Sequence, residues 1–362
     1  MRLHGTDLTR TALAKRADPV AAGGVRLVEL ADGAERGIRA LEFRTGTGLS
    51  FEVLVERAMD LGSAEHAGRS LGWHSPTGTR HPALHEPETE HGLGLLRAFS
   101  GLLVSCGLDH ILAGGEFDAS QFAGDPVTVQ PFHGRLPGLP ARLTGYGESW
   151  PSEHQCVLWA EGTVRQARIS AENLHLTRRY EAELGGNEIR LTDVVTNHGF
   201  LPAPHMLLYH VNLGWPLLAA GSRLVAPIAG TSFAELGSAR VSHEEFSGPL
   251  PGFVDQVYEH ELRADPAGML RAAILNDRLE LGVELEWPAS ELPCFLQWLH
   301  LREGEYVVAL EPATHHIGGD RAAREDGSMI WLAPGESRSY HLTFRVLAGP
   351  GALAGAQTRA GR

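Results

Sequence analysis

The sequence runs N-H-G-F-L-P-A-P-H-M-L-L-Y-H-V-N-L-G-W from Asn197 to Trp215 and joins turn residues to a short apolar run. A short apolar run bounded by Pro and Gly is typical of a buried β-strand. Successive side chains of a strand point to opposite faces. One face is therefore expected to carry Met206, Leu208, His210 and Asn212, and the other face His205, Leu207 and Tyr209.

The polar residues on the first of these faces need partners. A histidine and an asparagine among Met and Leu side chains cost stability if they stay unsatisfied. His210 is then either a core histidine with a satisfied ring or a proton-transfer group on the floor of a polar cleft. A second apolar run, Y-V-V-A-L-E-P, ends with Glu311. Burial is expected to raise the pKa of such a carboxyl group, unless donors hold its charged form. His210 and Glu311 together form a candidate acid–base pair.

These two strands also carry a family resemblance. L-Y-H-V-N-L-G and V-A-L-E-P-A resemble the histidine and glutamate strands of the aldose 1-epimerases, the galactose mutarotase-like proteins. F-H-G-R-L-P-G-L-P-A, with His133, resembles the segment that lines the sugar site in that family, and E-R-A-M-D-L, with Arg57, resembles the strand that carries a sugar-binding arginine. L-P-C-F-L-Q-W-L-H, with Gln297 and Trp298, resembles the strand before the glutamate. The order of these motifs, over residues 25–347, is similar to that of an uncharacterised bacterial branch of the superfamily.

The resemblance implies one large all-β domain, a galactose mutarotase-like antiparallel β-sandwich, and a cofactor-independent aldose 1-epimerase. In such an isomerase Glu311, as a carboxylate, takes the proton of the anomeric hydroxyl group of a monosaccharide, and His210, protonated, gives a proton to the ring oxygen. The ring opens, C1 turns over, and closure yields the other anomer. His210 must then be a cation near neutral pH, held in that state by neighbouring carboxylate or carbonyl groups.

The candidate substrate contacts each have a structural alternative. Arg57 is able to donate to two hydroxyl groups, or else it forms a salt bridge at a strand edge. His133 precedes Gly134, where the backbone allows a close approach, or else it caps a turn. Trp73, Trp215 and Trp298 could stack on a sugar, although tryptophan is more often part of the core. The residues that we assign to substrate binding are Arg57, His133, His205, Asn212, Trp298, Gln297 and Trp73.

A metal site is the main rival chemistry. His205 lies five residues before His210, and a β-bulge near Pro204 would bring both histidines to one face. A metal-assisted sugar isomerase or epimerase would then use His205, His210, Glu311, His315 and His316. However, 19 histidines make clusters expected by chance, and H-M-L-L-Y-H is not the helical HExxH pattern. We therefore expect no functional metal, and a non-catalytic carbohydrate-binding protein remains the third hypothesis.

Composition limits the class of partner. The formal net charge of −13 argues against nucleic acid or an anionic membrane, since both attract basic patches. Three widely spaced cysteines without CxxC suggest neither a disulfide framework nor a zinc ribbon. No apolar run approaches the ~20 residues of a membrane span, and the N-terminus does not have the pattern of a signal peptide. These features predict a cytoplasmic monomer or homodimer.

Short alternating runs joined by turns extend from Val25 onward and predict antiparallel strands. The clearest predicted hairpin joins residues 166–184 to residues 187–197 through a Gly-Gly-Asn turn. A loop is expected around Phe117 to Pro126. Residues 1–24 are expected to pack loosely at the edge of a domain that spans residues 25–347. Residues 348–362 contain one Leu as their only bulky apolar group and are expected to be disordered.

Overall fold

The computed structural model describes residues 1–118, 127–234 and 241–361. Most of the loop expected around Phe117 to Pro126, residues 119–126, therefore lies outside the described residues. Among the described residues, no helix has both the length and the apolar character needed to cross a lipid bilayer.

Strands make up most of the regular structure. They are β1 (Arg2–Leu3), β2 (Thr6–Asp7), β3 (Gly24–Glu29), β4 (Arg39–Arg44), β5 (Leu49–Leu54), β6 (Asp60–His66), β7 (Arg69–Ser70), β8 (Leu103–Leu108), β9 (Gly115–Asp118), β10 (Val127–Gln130), β11 (Arg142–Ser152), β12 (Gln155–Ala167), β13 (Asn173–Glu183), β14 (Glu188–Asn197), β15 (Ala203–Gly214), β16 (Arg223–Val225), β17 (Ile228–Ala234), β18 (Gln256–Leu262), β19 (Met269–Asn276), β20 (Leu281–Pro288), β21 (Cys294–His300), β22 (Val307–Ala313), β23 (Ile330–Leu332) and β24 (Ser337–Ala348). The α-helices are short, at Arg10–Ala14, Thr89–Gly92, Gly319–Asp326 and Pro350–Ala360. Single turns of 3₁₀-helix lie at Pro19–Ala21, Gly33–Glu35, Pro82–Leu84, Gly94–Arg97 and Leu136–Gly138.

Three large sheets and two two-stranded sheets, β1-β2 and β9-β10, are present among the described residues, and every pairing between these strands is antiparallel. The eight-stranded sheet has the order β11-β12-β13-β14-β24-β20-β19-β16. The seven-stranded sheet has the order β17-β18-β21-β22-β15-β23, with β8 paired to β15. The five-stranded sheet has the order β3-β4-β5-β6-β7. This arrangement confirms the predicted all-β class and the antiparallel pattern.

The central strand β15 has a different environment on each face, as its alternation predicted. Leu207, Tyr209, Val211 and Leu213 lie in the main hydrophobic core, which also holds residues of the eight-stranded and five-stranded sheets. Met206 and Leu208 lie in a smaller apolar cluster on the opposite face, together with Trp73, Phe99, Val104, Cys106, Cys294 and Leu296. We call this second side the cleft face of the seven-stranded sheet. It is the face on which His210 is placed.

Both chain ends are more ordered than expected. Leu3, Leu8 and Leu13 are buried in the main core, so the first residues pack closely. The expected disorder of residues 348–362 is wrong, because Pro350–Ala360 is helical and buries Leu353 against β19 and β24. Its alanines have the highest helix propensity, and Pro at the first helical position is favourable. A segment poor in bulky residues can therefore still fold against a sheet.

The predicted Gly-Gly-Asn hairpin is confirmed, with a shorter first strand. Its strands β13 and β14 pair over eight positions between Leu174↔Asn197 and Glu181↔Arg190. Gly185 in the connection has φ of +90°, which suits glycine. Residues 166–167 belong instead to β12, which is separated from β13 by a turn.

A buried charge network holds the sheets together beneath β15. Arg178 on β13 is fully buried and donates to both oxygens of Asp193, at 2.9 and 2.7 Å. It also donates to Asp60 Oδ1 at 2.8 Å, whose other oxygen accepts from the Ser105 backbone N–H. Tyr209 on β15 donates to Asp193 Oδ2 at 2.8 Å. The network therefore joins β6, β8, β13, β14 and β15, and it reaches the residue next to His210.

Candidate functional site

Two neighbouring strands place the imidazole and the carboxyl group together. In the β15–β22 register, Leu208 pairs with Ala313 and Val211 with Leu310. His210 and Glu311 lie between those pairs and so face each other across the strands, where cross-strand side chains interact. His210 Nε2 lies 3.3 Å from Glu311 Oε1. The side chains are only 4% and 3% exposed. The predicted pair, a hundred residues apart in sequence, is thus brought into contact by sheet pairing.

Asn212 fixes the orientation and tautomer of this imidazole. His210 Nδ1 lies 2.6 Å from Asn212 Oδ1, and the Asn212 amide donates to the Gly101 carbonyl at 3.1 Å. Since the amide nitrogen is already used as a donor, Asn212 Oδ1 accepts and Nδ1 of His210 carries the hydrogen. In the neutral ring, Nε2 therefore presents its lone pair to Glu311. Asn212 positions the histidine, and its assignment to substrate contact stays a prediction.

Burial sets the protonation state of the pair. It lowers the pKa of His210 to about 3, and the hydrogen bond with Asn212 offsets this only in part. Burial also raises the pKa of Glu311 to about 8. Glu311 Oε1 has no hydrogen bond of good geometry within the described residues. The unliganded pair is therefore uncharged at neutral pH, with its proton on Glu311. The expected histidine cation does not match this state, because burial disfavours the charged ring more than the hydrogen bond to Asn212 favours it.

Aromatic rings surround His210 on the cleft face. The ring centroids of Phe99, His133 and Trp298 lie 4.8, 5.3 and 5.4 Å from that of His210, all in edge-on arrangements. Trp73 contacts both Trp298 and Phe99, at 6.2 and 6.3 Å. The structure thus brings together three of the predicted residues, His133, Trp73 and Trp298, with the acid–base pair. Trp215 lies one residue past β15 and is 72% exposed.

Phe99 is a site residue that the sequence did not reveal. It follows the 3₁₀ turn Gly94–Arg97 and precedes β8. The one available signal is that a single aromatic residue leads into a strand paired with the histidine strand. Its ring direction depends on the loop and could not be inferred from spacing.

Arg57 is buried in the segment between β5 and β6. The residue is 2% exposed, and its NH1 has no hydrogen-bond partner within the described part of the chain. Burial lowers the pKa of its guanidinium group, and Asp60 acts in the opposite direction. An unsatisfied buried guanidinium nitrogen is costly. The atom is therefore available to donate a hydrogen bond to a hydroxyl or carboxylate oxygen of a ligand.

Two predicted contacts point away from the cleft face. His205 is fully buried, donates from Nδ1 to the Leu108 carbonyl and accepts at Nε2 from the Tyr340 hydroxyl. Gln297 accepts from His260 Nε2 and donates to the His243 carbonyl. Their assignments to substrate binding are wrong, because each stands at an odd position of a strand whose even positions face the cleft. Both ring nitrogens of His205 are already used.

The proposed five-residue metal site is not assembled. His205 lies on the core side of β15, and His315 Nδ1 is paired with Thr314 Oγ1 at 2.8 Å. His316 contacts Glu259 instead of Glu311. The pair His210–Glu311 is left without a third metal-ligating side chain among the described residues.

The fold recurs in solved structures. A protein of Klebsiella pneumoniae provisionally named as an aldose 1-epimerase is 24% identical, with 93% of this chain and 86% of that chain covered and a TM-score of 0.82. A galactose mutarotase-like protein of Clostridium acetobutylicum is 14% identical, with 90% and 99% covered and a TM-score of 0.60. Slr1438 of Synechocystis is also 14% identical, with 89% and 99% covered and a TM-score of 0.64.

These likenesses show that the chain has the galactose mutarotase-like fold, which confirms the resemblance of its motifs. No curated protein matches the sequence. The matching family covers residues 35–346, which is nearly the whole β-sandwich. The chain belongs to the family described as "Domain of unknown function (DUF4432)".

Proposed function

We propose that this protein is a cofactor-independent sugar mutarotase that interconverts the α and β anomers of a monosaccharide. The observation that carries the proposal is the approach of His210 Nε2 to Glu311 Oε1, 3.3 Å apart on two rigid strands. Positioned acid and base groups of this kind are typically worth ~10²–10⁴ in rate. The fold shared with mutarotase-like proteins supports a carbohydrate as the ligand class.

Ring opening requires one proton to leave the sugar and one to enter it. Glu311, as carboxylate, removes the proton of the C1 hydroxyl group, while His210 gives its Nε2 proton to the ring oxygen. The C1–O5 bond breaks and the C1 carbonyl forms. The pair then consists of a carboxylic acid and a neutral imidazole. After C1 turns over, the same two groups run the transfers in reverse and close the ring on the other face.

The proton count of this cycle agrees with the electrostatics of the pair. Burial favours the uncharged pair, with one proton on Glu311 and none on Nε2 of His210. The pair has this same protonation state after ring opening, when the open-chain aldehyde is present. Transfer of that proton across the 3.3 Å gap gives the form required for ring opening. A single shared proton therefore serves both directions, and Asn212 keeps Nε2 aimed at Glu311 throughout.

Other groups support sugar binding. The unsatisfied NH1 of Arg57, in the segment between β5 and β6, is suited to donate to a hydroxyl group. The faces of Trp73 and Trp298 are suited to the C–H edge of a pyranose ring. His133 lies against His210 and accepts at Nδ1 from the Leu112 backbone N–H, so its Nε2 carries a hydrogen. The monosaccharide is the partner that this set of groups recognises.

Exchange NMR between the α and β signals of a panel of aldoses tests the proposal. We expect the protein to accelerate exchange for at least one sugar, with saturation, in the presence of a chelator. Saturable sugar binding without accelerated exchange would instead establish a non-catalytic carbohydrate-binding protein. Loss of the exchange on chelation would establish the metal-assisted alternative.

The pH dependence of exchange is expected to follow the single proton of the pair. Activity requires one proton on the two groups, so it should be flat near neutrality and fall as pH rises through about 8, where Glu311 loses the proton in the unliganded pair. It should also fall below about 3, where His210 gains a second proton and no base remains. The measurement is the initial exchange rate at subsaturating sugar, corrected for the spontaneous rate in each buffer. A rate that falls as pH rises through 6.5, the ordinary histidine value, would contradict the shared-proton model.

A further inference from the structure

We propose that Glu259, Cys294 and His316 form a second site, which binds a divalent transition-metal ion of the Zn²⁺ class. One ligand atom of each residue lies within 4.8 Å of the other two. In the part of the chain that the structure describes, this is the one group of three or more such donors that is close enough to share an ion. The site is separate from the acid–base pair and adds to the proposed function.

Strand register builds this cluster. Glu259 on β18 pairs with Leu296 on β21, and Leu296 pairs with Glu311 on β22. Cys294 lies two positions from Leu296 on the same strand and therefore shares the cleft face with it. Neighbouring strands lie ~4.8 Å apart, so Glu259 is about 10 Å from Glu311 across two strand spacings. His316 arrives from the segment that follows β22.

The donor set suits zinc better than a hard cation. Thiolate, imidazole and carboxylate are the three ligand types that Zn²⁺ takes, whereas Ca²⁺ and Mg²⁺ take oxygen ligands. Typical Zn–S and Zn–N bonds of ~2.3 and ~2.1 Å place ligand atoms roughly 3.5 Å apart in a tetrahedron. A spread of 4.8 Å needs only a small inward movement. Three protein ligands leave a fourth position for water or a further ligand.

The burial of the three residues is compatible with this small inward movement of the ligand atoms. Cys294 is 5% exposed and the Glu259 side chain 16%, so two donors are held by the sheet. The His316 side chain is 76% exposed and directly contacts Glu259 through Nδ1. It is therefore able to rotate and admit an ion between imidazole and carboxylate. Burial and the Glu259 charge raise the pKa of the Cys294 thiol to about 12, so the ion must displace the thiol proton.

A metal at this position would fasten the segment after β22 to the sheet. His316 lies three residues before the helix Gly319–Asp326, and Glu259 and Cys294 lie on β18 and β21. The ion would thus join three separate parts of the chain beside the cleft face. A bound metal stabilises the folded state when it does not bind the unfolded chain as tightly.

Titration of the full-length, untagged protein with Co²⁺, followed by Zn²⁺ competition, tests the site. We expect one equivalent of Co²⁺ to bind with a near-ultraviolet thiolate-to-cobalt charge-transfer absorption, which Zn²⁺ displaces. Cys294→Ser should abolish that absorption, and His316→Ala should weaken affinity at least about tenfold. His316 is exposed, so its loss cannot be mistaken for unfolding.

Matched variants separate this site from chance binding. His341 forms an exposed pair with Glu291 without a thiol, and Cys156 contacts Glu148 without a described histidine. His341→Ala and Cys156→Ser should therefore leave the titration unchanged. Absence of saturable binding, or binding that persists unchanged in both Cys294→Ser and His316→Ala, would overturn the proposal. Equal losses in the control variants would also overturn it.

Discussion

Replacing Glu311 by Gln is expected to lower the rate of catalysed anomer exchange by ~10²–10⁴-fold. The amide keeps the shape of the side chain but neither carries the shared proton nor accepts one from the C1 hydroxyl group. His210→Asn should produce a loss of the same order, because it removes Nε2 from its 3.3 Å approach to the carboxyl group. The double variant should be little worse than either single variant, since the two groups act as a unit. Exchange NMR at several sugar concentrations gives kcat and KM for each protein.

A control distinguishes lost chemistry from lost folding. Glu284 is equally buried but lies on β20 in the eight-stranded sheet, where it pairs with Arg345 and Arg359. Glu284→Gln should retain the exchange activity of the protein that remains folded. Glu311→Gln should be at least as stable as the original protein above pH about 4.5, because a folded-state pKa raised to about 8 makes the ionisable carboxyl increasingly unfavourable between those values. Retained activity in Glu311→Gln would contradict the assignment of Glu311 as the catalytic base.

Strand alternation explains both what the sequence predicted and what it did not. It placed His210 on one face of an apolar strand and Glu311 near the end of another, and the cross-strand register then brought them together. The same rule excludes His205, which stands at an odd position of β15. It also separates Gln297 from Trp298, because adjacent residues on a strand face opposite sides. The motif resemblance treated those neighbours as one unit, and the structure shows that only the tryptophan reaches the cleft face.

Features set by burial and by loops could not be inferred from spacing. The protonation state of His210 depends on how completely Phe99, His133 and Trp298 cover it, and these residues come from separate segments. The Glu259–Cys294–His316 cluster requires the register of two strand pairs and the path of the following segment. Such contacts join residues distant in sequence, and a single sequence holds no local signal for them.

Arg178 is a different case, because alternation did contain the signal. On β13, Leu174, Leu176 and Tyr180 face the core, and Arg178 has the same parity. A charged residue at a core position requires a buried partner, which Asp193 and Asp60 supply. The alternation of β13 therefore carries a signal for an internal ion network, although we did not predict this network from the sequence, and its contribution to stability can be measured.

Replacing Asp193 by Asn is expected to destabilise the fold by about 3–5 kcal/mol, the usual cost of removing one partner from a buried ion pair. Arg178 would keep its charge but lose its charged bidentate acceptor, because the Asn amide offers a single neutral acceptor oxygen beside those of Asp60 and the Ala58 carbonyl. The Tyr209 hydroxyl would lose a charged acceptor in the same step. Denaturant unfolding at neutral pH, followed by fluorescence, measures the change in the free energy of unfolding.

A surface ion pair on β13, the strand that carries Arg178, provides the control for this measurement. Glu181 on β13 pairs with Arg179, and both side chains are about one-third exposed, so Glu181→Gln should cost roughly 0–1 kcal/mol. Equal effects of the two substitutions would show that the buried network adds no more than an ordinary surface pair. We expect Asp193→Asn to lower the free energy of unfolding much more than Glu181→Gln does, and also to lower the rate of anomer exchange per folded molecule. Tyr209 precedes His210 on β15. Weakening the hydrogen bond of its hydroxyl group to residue 193 should therefore make the orientation of the His210 imidazole toward Glu311 less well defined.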